Sequence, residues 1–140
     1  MKKLRVMIVS HPGTWQRVLE KNLLAYPFVD VVDVVTGSLS ASQLAKKTHP
    51  RLILIDSSIP IDDAITLVQI MKRENTNTSS VVITDTTQQR RKVIRAGADY
   101  TISSFNYESQ IGEILHHLTE PLPDEPNKSE TNIETKSSPI

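Results

Sequence analysis

The chain has 140 residues, 38% hydrophobic, 4% aromatic and 23% charged, a length that suits one domain with its own core and is short for two. Sixteen basic and sixteen acidic side chains cancel and cysteine is absent, which excludes disulfides, thiolate zinc sites and a cysteine nucleophile, and speaks against a strongly basic nucleic-acid module. Near the N-terminus only residues 6–9 are continuously apolar, and no stretch approaches the roughly 18 apolar residues that span a bilayer, so a soluble, cytoplasmic protein with no membrane contact is expected.

The cancelling charge conceals an asymmetry. Residues 120–140 hold five acids (Glu120, Asp124, Glu125, Glu130, Glu134) against two lysines, a net of −3 that leaves +3 on residues 1–119. Half of the eight prolines also fall in this segment, whose strong hydrophobes are Leu122, Ile133 and Ile140. So little apolar surface does not offset the entropy of ordering a chain. The expected folded unit is therefore 1–119, with 120–140 an acidic, proline-containing disordered tail or linker.

Within 1–119, strand-length apolar runs alternate with helix-period segments. Leu4–Val9 (LRVMIV) reads as a first strand, stopped by the turn signal Ser-His-Pro-Gly. Thr14 is placed to cap a helix with Trp15, Val18, Leu19 and Leu23 on its apolar face, ending near Tyr26 and Pro27. Val29–Val35 is the second strand, and 40–47 a short helix stopped before His49 and Pro50. Leu52–Ile55 is a wholly apolar third strand, followed by a helix over 62–72. The fourth strand covers 81–83, and a basic helix over Thr87–Ala96 carries Gly97 as its C-cap. A fifth strand over 100–102 and a helix over 108–118, with Ile111, Ile114, Leu115 and Leu118 on one side, close the unit.

Apolar strands alternating with helices call for a parallel sheet covered on both faces. Right-handed crossovers leave the flavodoxin-like (α/β)5 doubly wound sheet, strand order 2-1-3-4-5, as the usual arrangement at this size. In such sheets function gathers at the carboxyl ends of the strands. Here those ends bring Ser10, His11, Asp56, Thr84, Ser103 and Ser104 to one edge.

The block LILIDSSIPIDDA resembles the centre of the receiver domain of two-component response regulators, with Asp56 at the end of a strand and Pro60 in the loop after it. RAGA at 95–98, and Thr84 after the fourth strand, agree with the same family. The stretch HPGTWQRVLEKNLLAYPFVDVV is most similar to receivers that precede a LuxR-type DNA-binding domain, the NarL/FixJ-like subgroup. The resemblance covers about residues 3–119 and implies that Asp56 holds the phosphoacceptor position. In the family a histidine kinase phosphorylates that aspartate with Mg²⁺, a hard cation held by neighbouring carboxylates, while a lysine balances the phosphoryl oxygens.

The chain departs from that pattern where the chemistry is done. Ser10 and His11 stand in place of the acidic pair after the first strand. Ser104 stands in place of the lysine, Phe105 where a proline is common, and residues 99–107 contain no lysine in any register. The segment between Thr84 and Gly97 is also about two residues shorter than the family's usual spacing. Each lost electrostatic partner is worth about 10²-fold or more in enzymes. An atypical receiver is therefore expected, binding Mg²⁺ weakly if at all, with no resident cofactor and no catalytic residues.

Such a chain acts through protein contacts with a histidine kinase or an output protein. Arg90, Arg91, Lys92 and Arg95 on the fourth helix are a solvated face or a partner surface. The resemblance adds that helix 4, strand 5 and helix 5 serve dimers and output contacts, so a homodimer through them is open. No helix-turn-helix follows residue 119 in this sequence, and direct nucleic-acid binding by it is not expected.

Two other readings of the pocket stay open: Asp56 is still phosphorylated as a conventional switch, or Ser10, His11, Asp56 and Thr84 bind a small ligand or a transition metal. Between His11 and Asp56 a hydrogen bond or ion pair replacing the metal is preferred. A hydrolase triad is disfavoured because consecutive strand residues point to opposite faces and no G-x-S-x-G elbow is present. Gly13 stands without a G-x-G-x-x-G or Walker-type pattern. Trp15 reads as core, and His116 and His117 as exposed helical residues.

Overall fold

The computed structural model describes residues 3–74 and 77–119. The expectation for 120–140 lies outside the described residues. The elements run β1 (Leu4–Val9), α1 (Thr14–Leu24), β2 (Val29–Val35), α2 (Ser38–Thr48), β3 (Leu52–Ile55), α3 (Ile61–Glu74), β4 (Ser79–Thr84), α4 (Thr87–Ala96), β5 (Tyr100–Ser103) and α5 (Tyr107–Thr119). All strand pairs are parallel, in the order β2-β1-β3-β4-β5. This is the expected doubly wound sheet. Among the described residues no helix is long and apolar enough to cross a membrane.

The two-residue period of the strands divides the core into two layers. Leu4, Val6 and Ile8 of β1, Leu52 and Leu54 of β3, and Val81 and Ile83 of β4 face one layer, where Leu19 and Leu23 of α1 and Ile111 and Leu115 of α5 pack on them. Met7 and Val9, Ile53 and Ile55, and Val82 face the other, under Ala41 and Ala45 of α2, Leu67, Val68 and Met71 of α3, and Val93 of α4. A strand buried on both faces has no solvated side, which is why LILI is apolar throughout and fully buried. Each such side chain contributes about 1.5–3 kcal/mol by leaving water.

Several boundaries differ from the sequence reading. Gly13, at φ 152°, occupies the N-cap of α1, so Thr14 is the first helical residue and its side chain does not cap. A left-handed φ of this kind favours glycine, and it brings the chain sharply off the end of β1 into the helix. Val18 is 39% exposed rather than core, because a helix turns about 100° per residue and Leu19 and Leu23 already take the inward row. Helix α2 begins two residues early, at Ser38, directly after its cap Gly37. Strand β4 begins at Ser79 because Ser79 and Ser80 pair with Leu52 and Ile53 despite their polarity. Gly97, at φ 114°, caps α4 as expected. Trp15 packs edge-to-face on Tyr107 of α5, with ring centroids 5.1 Å apart.

Candidate functional site

Strand β1 lies between β2 and β3; the residue after β1 extends its ladder with β2, and the residue after β3 extends its ladder with β1. Ser10 N–H donates to Val35 O at 2.9 Å, and Asp56 N–H donates to Val9 O at 3.1 Å. This fixes the two backbones side by side at the carboxyl edge of the sheet. Both residues are buried, with Asp56 only 1% exposed.

Three donors converge on the Asp56 carboxylate. The Ser10 hydroxyl donates to Oδ2. On Oδ1, Ser58 N–H donates at 2.7 Å and the Ser58 hydroxyl at 2.5 Å. The backbone bond to the residue two positions on is an Asx-turn, which folds the loop after β3 back over the aspartate. Ser58 Oγ in turn accepts from His11 N–H at 2.9 Å, tying the loop after β1 to the loop after β3. No lysine, arginine or histidine side chain forms an ion pair with Asp56 among the described residues. The buried charge is held by hydrogen bonds alone, the arrangement that keeps a desolvated carboxylate tolerable.

The other pocket residues are arranged differently from the sequence reading. The His11 side chain is exposed and makes no hydrogen bond to Asp56, so the preferred His11–Asp56 pair is replaced by Ser10–Asp56, and His11 takes part only through its backbone. Strand alternation explains this, since Ser10 turns inward and the next residue turns out. Thr84 is buried at the end of β4, where Ser103 is its partner in the ladder and Ser104 N–H donates to Thr84 O at 2.9 Å. Neither Thr84 nor Ser104 bonds to Asp56; they line the adjoining strand ends. Phe105, after β5, is 86% exposed beside them.

Ser58 was not singled out from the sequence. Its signal was the Asx-turn pattern itself, an aspartate with a hydroxyl residue two positions later.

One carboxylate is present at the site, its two oxygens are already engaged, and among the described residues no group of three His, Asp or Glu side chains could hold a metal ion. Ser10 is buried against Asp56 while the side chain of His11 is exposed and hydrogen-bonds to neither, so no serine–histidine pair forms.

On α4, Arg91, Lys92 and Arg95 are exposed. Arg90 is half-buried and donates from Nε to Thr101 Oγ1 at 3.2 Å, so it braces α4 on β5 rather than standing free.

No family model matches the chain. A curated relative, the protein-glutamate methylesterase/protein-glutamine glutaminase of Alkalilimnicola ehrlichii, is 32% identical over 75 residues, which are 53% of this chain and 19% of that protein. The chain thus matches about a fifth of that relative's length. Among solved structures, the signal receiver domain of the response regulator NarL from Mycobacterium tuberculosis superposes with a TM-score of 0.75 at 18% identity, over 86% of this chain and 100% of that one. The receiver domain of sensor histidine kinase PA1611 from Pseudomonas aeruginosa gives 0.71 at 17% identity, over 83% and 97%. That protein coordinates a magnesium ion in its active site cleft. The chain has the fold of a response regulator receiver domain.

Proposed function

We propose that this chain is a signalling receiver in which Asp56, at the phosphoacceptor position, works as a hydrogen-bonded structural acid and not as a metal-assisted acceptor. What carries the reading is that both oxygens of the buried Asp56 are engaged. Ser10 occupies Oδ2, Ser58 occupies Oδ1 twice, and the residue is 1% exposed. Phosphoryl transfer needs an oxygen free to attack in line and cations to neutralise the transferring group. Ser10 and Ser58 withhold the first, and Ser10 and Ser104 stand where the resemblance places the groups that supply the second.

Output then rests on protein contacts, with a kinase, an output protein or a second copy, through the face made by α4, β5 and α5. A cytoplasmic location, the absence of a resident cofactor and the absence of enzymatic activity in this chain are parts of the same proposal. The test is a Mg²⁺ titration followed by backbone amide shifts. The expected result is no saturable shift at Ser10, Asp56, Ser58 or Thr84. A saturable shift centred on Asp56 would overturn the reading.

A further inference from the structure

Helix α4 carries basic side chains and no acidic one. Arg91, Lys92 and Arg95 are exposed and take part in no ion pair among the described residues. Ile94 lies among them, 39% exposed, and residues 91, 94 and 95 share one helical face through their three- and four-residue spacing. The acids of neighbouring elements leave this face unmatched. Asp99 is bound to Lys72 and Ser80, Glu108 is turned to Asn22 on α1, and Asp85 precedes the helix beyond its N-terminus.

The complement of that face is in the same chain. Residues 120–140 hold the net −3 that balances the +3 of the rest, and their sequence places Ile133 between Glu130 and Glu134. The spacing Glu130, Ile133, Glu134 repeats, with opposite charge, that of Arg91, Ile94, Arg95. The topology brings the two within reach. Both α4 and α5 run back from the carboxyl edge of a parallel sheet, so their C-termini, at Ala96 and Thr119, lie at the same end of the fold. They cover opposite faces on either side of the edge strand β5. Rounding that edge from one helical layer to the other means crossing about 20 Å, two layer spacings, or roughly six extended residues. Glu120 is too near Thr119 to make the crossing, and Glu130 to Glu134 are well beyond it.

We infer that residues 130–134 dock on α4 in cis, with Ile133 against Ile94 and Glu130 and Glu134 paired with Arg91 and Arg95. Tethering raises the local concentration of the segment to the order of millimolar, so an affinity of about 1 mM between segment and face gives half occupancy. The docked segment covers the contact face assigned to α4 above, a reading on which this inference rests, and a protein partner must displace it. The contact depends on charge more than on apolar area, and it is therefore sensitive to salt.

The test uses the full chain. Because cysteine is absent, Asn132→Cys gives a single site for a nitroxide spin label, read through backbone amide intensities. The expected result is loss of the Arg91, Ile94 and Arg95 signals, unchanged on dilution and absent when labelled and isotope-enriched chains are mixed. The signals return at about 1 M salt, where the Debye length contracts to roughly 3 Å. Arg91→Glu with Arg95→Glu abolishes the effect, and adding Glu130→Arg with Glu134→Arg restores it. An effect that also appears in the mixed sample and weakens on dilution would assign the face to a second copy and overturn docking in cis, leaving α4 a contact face. No effect on α4 in either sample would overturn the inference outright. Failure of the contact-face reading itself has a separate readout: partner capture would be unchanged by Arg91→Glu with Arg95→Glu in a chain already freed of Glu130 and Glu134 charge.

Discussion

The Ser10 hydroxyl donates directly to Asp56 Oδ2 across adjacent strands, with both residues buried. A serine therefore stands where the resemblance places an acidic metal ligand, and it changes what the aspartate can do. A carboxylate in that place would repel Asp56 and require a cation between them, whereas a hydroxyl satisfies Asp56 without one.

Ser10→Ala removes a donor from a buried charged acceptor. The expected loss is about 1.5–3 kcal/mol of unfolding free energy, measured by denaturant titration. A double-mutant cycle with Asp56→Asn should give a coupling on the order of 1–2 kcal/mol for Ser10, and no more than about 0.5 kcal/mol for His11→Ala, which keeps the backbone bond to Ser58. Coupling at His11 as large as at Ser10 would restore the histidine as the partner of Asp56.

Rebuilding the missing charges supplies the converse test. Ser10→Asp with Ser104→Lys places a second buried carboxylate beside Asp56. In chelator the melting temperature should fall, because like charges share a desolvated site. Millimolar Mg²⁺ should recover it, since a ligand that binds only the folded state stabilises that state. The wild-type chain should melt at the same temperature in both conditions.

Tyr107 and Tyr100 give the fold an alkaline limit. Burial, before any charge, pushes the Tyr107 phenol above its ordinary value of 10.0; the bond from Asn22 opposes this and Glu108 adds to it. Burial again comes first at Tyr100, reinforced by Asp99 and opposed by Arg51. A raised folded pKa means that the unfolded phenol loses its proton first. The stabilisation is complete below about pH 10 and is lost as pH climbs through the folded values. Unfolding free energy should decline above pH 10, and Tyr107→Phe with Tyr100→Phe should flatten that decline.

Gly97 ends α4 at φ 114°. Gly97→Ala forces a side chain into the left-handed region at a cost of about 1–2 kcal/mol. Hydrogen exchange in the last turn of α4 should accelerate, while the amides of β1 and β3 keep their protection.

The strands were legible because their burial is written in their composition. LRVMIV and LILI need no context to be read as sheet, and Val29–Val35 was bounded by turn residues on both sides. The strand order followed from handedness and helix alternation. Ser79 and Ser80 were not legible as strand, because their place is set by pairing with β3 and by the bonds between Ser80 and Asp99, and local propensity carries neither. At the site, Asp56 could be placed from its block, but its partner could not. The sequence reading pairs His11 with Asp56 in place of a metal, whereas strand parity turns Ser10 inward and makes it the partner. Ser58 was missed because a loop serine reads as solvated until the chain folds it back over the aspartate.

The most direct measurement is the intact mass of the full chain after incubation with Mg²⁺ and acetyl phosphate, with Asp56→Asn as control. The expected result is an unmodified mass for both across a range of magnesium and donor concentrations. An adduct of one phosphoryl group on the wild-type chain, lost in Asp56→Asn, would mean that Ser10 and Ser58 release the carboxylate, and would contradict the account.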